Sequence, residues 1–296
     1  MKKLLFVACL FFFVGTVGLI VSCDKVEGPY MNVVDIPDSI PTFPAFPAPM
    51  KTVLIEEFTG HFCVYCPTGA DYIHQIQQQT YGSRVIVLAI HSSTLAIPDA
   101  VGDYALDLRS IDHGETLYTD FLVSSEPSAM FNREKLDGTN IIYSTTSTWQ
   151  SKVEEALAVK PVLSMQIINQ YDSATRKLFS FVRTRFDTVS TQNLRIAVYI
   201  SEDSIIGFQK NNNTAIGTTP DITDYVFMDV LRDEFVGTYG ETFTNGGVAK
   251  DSIIIRSYSK TLSSSWVDKH CKVVAYVFVD NGNAPILQAV ERKVIE

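Results

Sequence analysis

Two strand patterns with a pair of cysteines between them restrict what this chain can fold into. Thr52 to Phe58 (TVLIEEF) is an apolar run of strand length, and Cys63 and Cys66 follow it with Val64 and Tyr65 between them. The stretch from Cys66 to Thr80 then reads as a helix, and Arg84 to His91 (RVIVLAIH) as a second buried strand. Apolar runs of this length fit strands enclosed on both faces, and a helix between two of them makes a βαβ unit. Tyr81-Gly82-Ser83 punctuates the helix end, with Gly82 as its left-handed cap. A cysteine pair at the strand-to-helix turn of such a unit is placed for redox chemistry. There the unpaired N–H groups and the positive end of the helix dipole stabilise a thiolate at Cys63, and thiolate is the attacking species. Pro67 suits the first helical turn, where its missing N–H costs nothing.

The N-terminus sets the compartment. Lys2 and Lys3 precede an uncharged apolar run over residues 4–20, the layout of a bacterial export signal. Leu19-Ile20-Val21-Ser22-Cys23 resembles a lipobox, which implies acylation of Cys23 and loss of residues 1–22, Cys9 included. The alternative is an uncleaved anchor, because the run approaches the length that spans a bilayer. Both readings put the remainder outside the cytoplasm. Asp24 follows the lipid cysteine, a position that sorts lipoproteins between membranes by rules that differ among lineages. Residues 24–50 carry six of the chain's twelve prolines and read as a stiff, extended tether.

The formal net charge of -9 becomes -11 once Lys2 and Lys3 are gone, and no basic run exists, so nucleic acid is excluded as a partner. With 46% hydrophobic and 19% charged residues the body is a folded one, long enough for two domains. Lys160-Pro161 marks the boundary between them. Beyond it come strand-like runs at Val162 to Asn169, Lys177 to Phe186, Leu194 to Ile200, Ser252 to Ser257, Lys272 to Asp280 and Ile286 to Val294. Repeated strands with no strong helix between them suggest an antiparallel β-sandwich over residues 161–296. The Asn-, Thr- and Gly-rich stretch from Gly207 to Lys250 reads as a long loop, either a partner-binding surface or irregular packing. Cys271 reads as a buried, small apolar residue.

Further signals extend the first-half pattern. Glu57 stands six residues before Cys63, and Ser125-Glu126-Pro127-Ser128 precedes a strand start at Ala129-Met130-Phe131. Asp137-Gly138 turns a hairpin into Asn140 to Tyr143, and Thr148 to Leu157 forms a last helix. With these elements residues 51–160 resemble the thioredoxin superfamily, with Ser92 to Glu115 as an inserted helical segment or lid. The resemblance implies that Cys63 attacks, Cys66 resolves, and Glu57 is a buried acid that handles the proton of Cys66. It also implies that Glu126 and Pro127, the latter cis, line the substrate groove with Val64 and Tyr65. That dipeptide is neither Gly-Pro nor Pro-His, so it sets no direction of electron flow.

More narrowly, the lipobox, proline-rich tether, CxxC, Pro-Ser-x-x-Phe-Asn-Arg loop and β-rich C-terminal half resemble a family of outer-membrane lipoproteins of anaerobic Gram-negative bacteria. The expected fold is therefore an α/β thioredoxin-like domain followed by an antiparallel β-sandwich. The expected activity is thiol-disulfide exchange on protein substrates, regenerated by a redox partner, without a cofactor or a resident metal. Four alternatives stay open. The pair is a structural disulfide, or a metal site with His61 and His74 or His91. Glu56 rather than Glu57 takes the buried side, or Pro127 is an ordinary turn proline. The competing function is a surface lipoprotein with a binding or adhesin role in which the first domain is a scaffold.

Overall fold

The computed structural model describes residues 39–282 and 284–296, apart from the side chains of Gln79 and Thr80. The expected signal peptide, Cys23 and the first part of the expected tether lie outside the described residues. The protein is mostly β-structure in several sheets, with few helices. Strand β1 (Val53–Thr59) leads through the cysteine turn into helix α1 (Cys66–Gln75), which continues in wider turns to Tyr81 and stops at Gly82, whose φ is +53°. Strand β2 (Val85–His91) returns parallel to β1. Residues 92–110 then run without regular structure into helix α2 (Ile111–Asp120), so the helix expected within the insertion begins only near its end. Strand β3 (Ser128–Phe131) pairs antiparallel to β1, and helix α3 (Trp149–Leu157) closes this half. The hairpin expected at Asp137-Gly138 shrinks to one bridge, in which Ala129 and Tyr143 exchange backbone hydrogen bonds.

The second half contributes β4 (Leu163–Asp172), β5 (Lys177–Phe186), β6 (Asn193–Glu202), β7 (Ile205–Lys210), β8 (Asp221–Phe227), β9 (Val230–Glu234) and β10 (Glu241–Asn245). It ends with β11 (Ile253–Thr261), β12 (Cys271–Val279) and β13 (Ile286–Lys293). The stretch from Gly207 to Lys250, expected as a long loop, thus contains the end of β7 and all of β8, β9 and β10. Two sheets pack face to face here, but one of them extends into the first half of the chain. Strands β4, β5 and β11 form a three-stranded sheet whose Leu178, Val182 and Phe186 pack on Ile196, Val198, Val273 and Ala275 of β6 and β12. Those two strands belong to an eight-stranded sheet in the order β13-β12-β6-β9-β2-β1-β3, with β10 also on β6. β9 is the joint, antiparallel to β6 and parallel to β2 at Ala89 and Val230. One sheet therefore crosses the boundary expected at residue 160.

Strand alternation divides β1 between two cores. Val53 and Ile55 pack with Ile73 of α1 and with Trp149 and Val153 of α3. Leu54 and Phe58 face the other way, among Leu117 of α2 and Tyr199, Val274 and Tyr276. Glu56 shares that second face and meets Arg133, whose Nε donates to its carboxylate at 2.7 Å and whose guanidinium also donates to the Tyr276 hydroxyl. Glu57 shares the face of Ile55, toward α1. Both carboxylates are buried, so neither is the solvent-facing partner of the other.

The proline-rich segment is not a free spacer over its last residues. Arg183 and Arg185 on the outer face of β5 stack on it, with Arg183 4.8 Å from the Phe43 ring and 4.1 Å from Phe46, and Arg185 4.7 Å from Phe46. Gln166 Nε2 donates to Ala45 O at 3.3 Å. Cation-π contacts of this exposure contribute about 0.5–1 kcal/mol each. Phe46→Ala is expected to lower stability by about 1–2 kcal/mol and to speed proteolytic cleavage within residues 39–50. Unchanged cleavage there would show that the two arginines do not hold the segment.

Candidate active site around the cysteine pair

The turn between β1 and α1 is held by its own backbone and by the insertion. Cys63 N–H donates to Gly60 O at 3.0 Å, Cys66 N–H to Cys63 O at 3.3 Å, and Phe62 N–H to Leu95 O at 2.9 Å. A Cβ at Gly60 would stand 2.5 Å from Leu95 O, so only glycine lets the insertion lie this close. Cys63 and Cys66 are joined in a disulfide with Cα atoms 5.4 Å apart, and Pro67 occupies the first turn of α1. Val64 is half-buried and Tyr65 is 62% exposed.

On β1, facing α1, Glu57 is 3% exposed and its Oε1 has no hydrogen-bond partner among the described residues. Burial, with Asp229 and Glu126 adding negative charge, pushes its carboxyl up to about 8, so it is protonated at neutral pH. The Glu126–Pro127 peptide is cis, and Pro127 lies against α1 at Gly69, where a Cβ would stand 3.0 Å from Pro127 Cβ and 3.2 Å from Glu57 Oε1. Glycine at 69 thus brings helix, proline and acid together. Burial raises Glu126 to about 7, with Glu115 adding to it and Ser93 opposing. Glu57 opens onto a cavity of about 400 Å³ whose walls include Pro67, Ile73, Val87, Tyr225, Met228 and Asp229. Asp229 at its far side pairs with Lys272, which also holds Asp203 at 3.0 Å.

The histidines do not gather at the sulfur atoms. His61 Nε2 lies 3.4 Å from Ile97 O, its ring stacks edge-on to Phe62 and Tyr104, and burial lowers its pKa. His91 is buried edge-on to Phe227 with its pKa lowered by burial to about 3, and His74 sits on the exposed side of α1. Cys271 is free and buried, its thiol pushed up to about 12 by burial.

Sequence reasoning missed the cover. The β7–β8 hairpin lies on the cysteine turn: Lys210 N–H donates to His61 O at 2.8 Å and Asn212 N–H to Val64 O at 3.2 Å. Buried Gln209 donates to Cys63 O at 3.0 Å, and Asn213 Nδ2 to Thr68 Oγ1 at 3.2 Å. Asn211 donates to the carbonyls of Asn213, Gly217 and Thr218 and so folds the tip, which ends at a cis Thr219–Pro220 peptide. From the insertion Tyr104 stacks on Phe62 at 4.6 Å and donates its hydroxyl to Asp221. Under this cover Cys63 is 3% and Cys66 2% exposed. The signal was the unusual Asn-Asn-Asn run at 211–213, since asparagine side chains build local turns.

Three comparisons bear on the chain. The family described as outer membrane protein Omp28 matches residues 114–296, a span that includes the cis-proline loop and the hairpin but starts after Cys63 and Cys66. HBP35 of Porphyromonas gingivalis superposes with a TM-score of 0.63 over 83% of this chain and 76% of that one at 14% identity, a shared fold. A domain of the outer membrane lipoprotein Omp28 from Porphyromonas gingivalis aligns over 46% of this chain and 89% of that one, with 16% identity and a TM-score of 0.31. No curated protein matches. Among the described residues no helix is long and apolar enough to cross a membrane.

Proposed function

We propose that this chain, which belongs to the Omp28 outer membrane protein family, is a thiol-disulfide exchange protein of the cell envelope, tethered by a lipid on Cys23. Its localisation is the outer membrane. The observation that carries the exchange reading is a buried, protonated Glu57 against the helix that begins at the cysteine pair, with a cis-proline alongside. These four features support the reading of residues 51–160 as a thioredoxin-like domain.

In the reduced protein the Cys63 thiolate attacks one sulfur of a substrate disulfide, forming a mixed disulfide and releasing the other substrate sulfur as a thiolate, which takes a proton from water. Cys66 then gives its proton to the Glu57 carboxylate, which was left ionised when the pair was last reduced, and attacks Cys63 Sγ. The mixed bond breaks, the substrate leaves with its second sulfur as a thiolate that water protonates, and the chain holds the Cys63–Cys66 disulfide. A redox partner supplying two electrons restores the dithiol, with protonated Glu57 returning a proton to Cys66 as that bond opens. The backbone at Glu126 and Pro127, with Val64 and Tyr65, aligns an extended substrate segment. No cofactor enters these steps.

A second reading rests on the burial of both sulfur-bearing residues. A pair this well covered also suits a structural disulfide in a surface binding protein whose contacts are made elsewhere.

Equilibrating the full chain in graded glutathione buffers and counting alkylated thiols by mass separates the two. Exchange predicts a reversible two-thiol transition at Cys63 and Cys66 between roughly -270 and -120 mV. A pair that stays oxidised at more reducing potentials would overturn that reading in favour of the binding protein.

A further inference from the structure

One cluster of side chains lies outside this site and joins the two halves of the chain. His113, in the first turn of α2, faces Asp233 and Glu234 at the end of β9. His113 Nε2 is 3.6 Å from Asp233 Oδ1 and 3.5 Å from Glu234 Oε1, and the three donor atoms lie within 4.8 Å of one another. All three residues are half-buried, with exposures of 16, 29 and 15% on their side chains, so the cluster is shielded but reachable from solvent.

The spacing is informative. A charged N–H···O bond closes to about 2.7–2.9 Å, well inside the separations here. A tetrahedral centre with bonds of 2.0–2.2 Å holds adjacent ligand atoms about 3.3–3.6 Å apart. Both histidine-carboxylate distances fall in that range.

Each donor is also oriented through its other polar atom. His113 Nδ1 meets Thr238 Oγ1 at 2.9 Å, which leaves Nε2 for the centre of the cluster. Asp233 Oδ2 takes the Lys260 ammonium at 2.7 Å, while Oδ1, which accepts the Glu234 N–H at 2.8 Å, keeps a lone pair. Glu234 Oε2 accepts the Gly237 N–H, which leaves Oε1 facing the imidazole. Lys260 also donates to Glu234 O and balances one of the two negative charges. Outer partners that fix tautomer and carboxylate rotation are the usual support of a metal centre.

We propose that His113, Asp233 and Glu234 form a binding site for a divalent transition cation of the zinc type, with water in the fourth position. One nitrogen and two carboxylate oxygens are the donor set such a cation takes with an open position. The site does not depend on the redox reading, since it shares no residue with the cysteine turn. Its effect on the fold is to clamp α2, which ends the insertion, to β9, which joins the halves of the large sheet.

The test uses the full chain without a polyhistidine tag, stripped with a chelator and kept oxidised so that the cysteines offer no thiolate. Calorimetric titration with Zn²⁺ is expected to give one ion per chain at micromolar affinity or tighter. His113→Ala and Glu234→Gln are each expected to weaken binding at least 50-fold, with near-UV circular dichroism confirming that each variant is folded. Co²⁺ in place of Zn²⁺ is expected to give the visible absorption of a tetrahedral nitrogen-oxygen site, lost in the same variants. Absence of binding, or binding that neither variant weakens, would overturn the proposal. If His113→Ala fails to fold, Glu234→Gln, an amide of the same shape, decides alone.

Discussion

Reduction of the Cys63–Cys66 disulfide by a small thiol is expected to accelerate on the order of 100- to 1000-fold when the hairpin cover is cut back. The variant replaces residues 211–220 with Asn-Gly, which closes a two-residue turn directly on the Lys210 and Asp221 pair, and adds Gln209→Ala. It removes four hydrogen bonds to the cysteine turn: those from Asn212 to Val64, from Asn213 to Thr68, and from Gln209 to Gly60 and Cys63. At about 1 kcal/mol net for each, the closed state loses about 4 kcal/mol, and a tenfold change follows each 1.4 kcal/mol. Sulfur atoms on residues 3% and 2% exposed must wait for an opening before a thiol can reach them, so the rate follows the open population. The measurement is the pseudo-first-order rate of thiol appearance under excess dithiothreitol, with circular dichroism to confirm folding. An unchanged rate in a folded variant would mean that the hairpin is not what limits access.

Glu57→Gln is expected to change stability and reactivity in opposite senses above pH 8. An ordinary carboxyl ionises near 4.5, and in the folded chain Glu57 ionises near 8. Between those values the folded state holds a proton that the unfolded state has lost, so raising the pH through this window takes stability away. Below about pH 4.5 both states are protonated and there is no effect; above about pH 8 the loss is complete. The window of 3–4 pH units corresponds to on the order of 4 kcal/mol. Urea unfolding should therefore show the Gln variant level with the parent at pH 4 and more stable by on the order of 3–5 kcal/mol at pH 9. Exchange by the Gln variant should be slower by on the order of 100-fold and lack an inflection near pH 8, because general acid-base transfer contributes about that much. Parallel pH-stability curves for the two proteins would show that Glu57 is not held protonated by burial.

The first half of this arrangement was readable because its signals are local. The TVLIEEF and RVIVLAIH runs are continuous apolar stretches, and Pro67 and Gly82 punctuate the helix between them. The proline before a strand at Pro127 pointed to the cis peptide. Period-two alternation made β6 legible, and the same rule separates Glu56 from Glu57, although it does not say that both faces are buried. What could not be read are pairings set by distant segments. Val230 to Glu234 carries three charged residues in five and no strong strand pattern, yet it bonds to β2 and β6 and so makes one sheet of the expected two. The Asn-rich stretch before it reads as loop because its order comes from Asn211 bonding three carbonyls and from contacts with His61 and Val64, far back in the chain. Phe43 and Phe46 stood in the tether as a signal for docking, but their partners Arg183 and Arg185 are fixed only once β5 has formed.

The shared sheet has a consequence for the order of events as the chain is made and exported. Thr52, at the edge of the first strand, bonds Gln288 and Ala289, 236 and 237 residues later. Such distant partners make folding slow and leave apolar surface bare in the interval. A chain delivered N-terminus first exposes its cysteine turn to oxidants before Gln209 and Asn212 arrive to cover it, and β2 waits with an open edge until β9 emerges. The disulfide would then be chosen while the turn is still accessible and sealed afterwards, and an incomplete chain would offer that open edge to any other unpaired strand nearby.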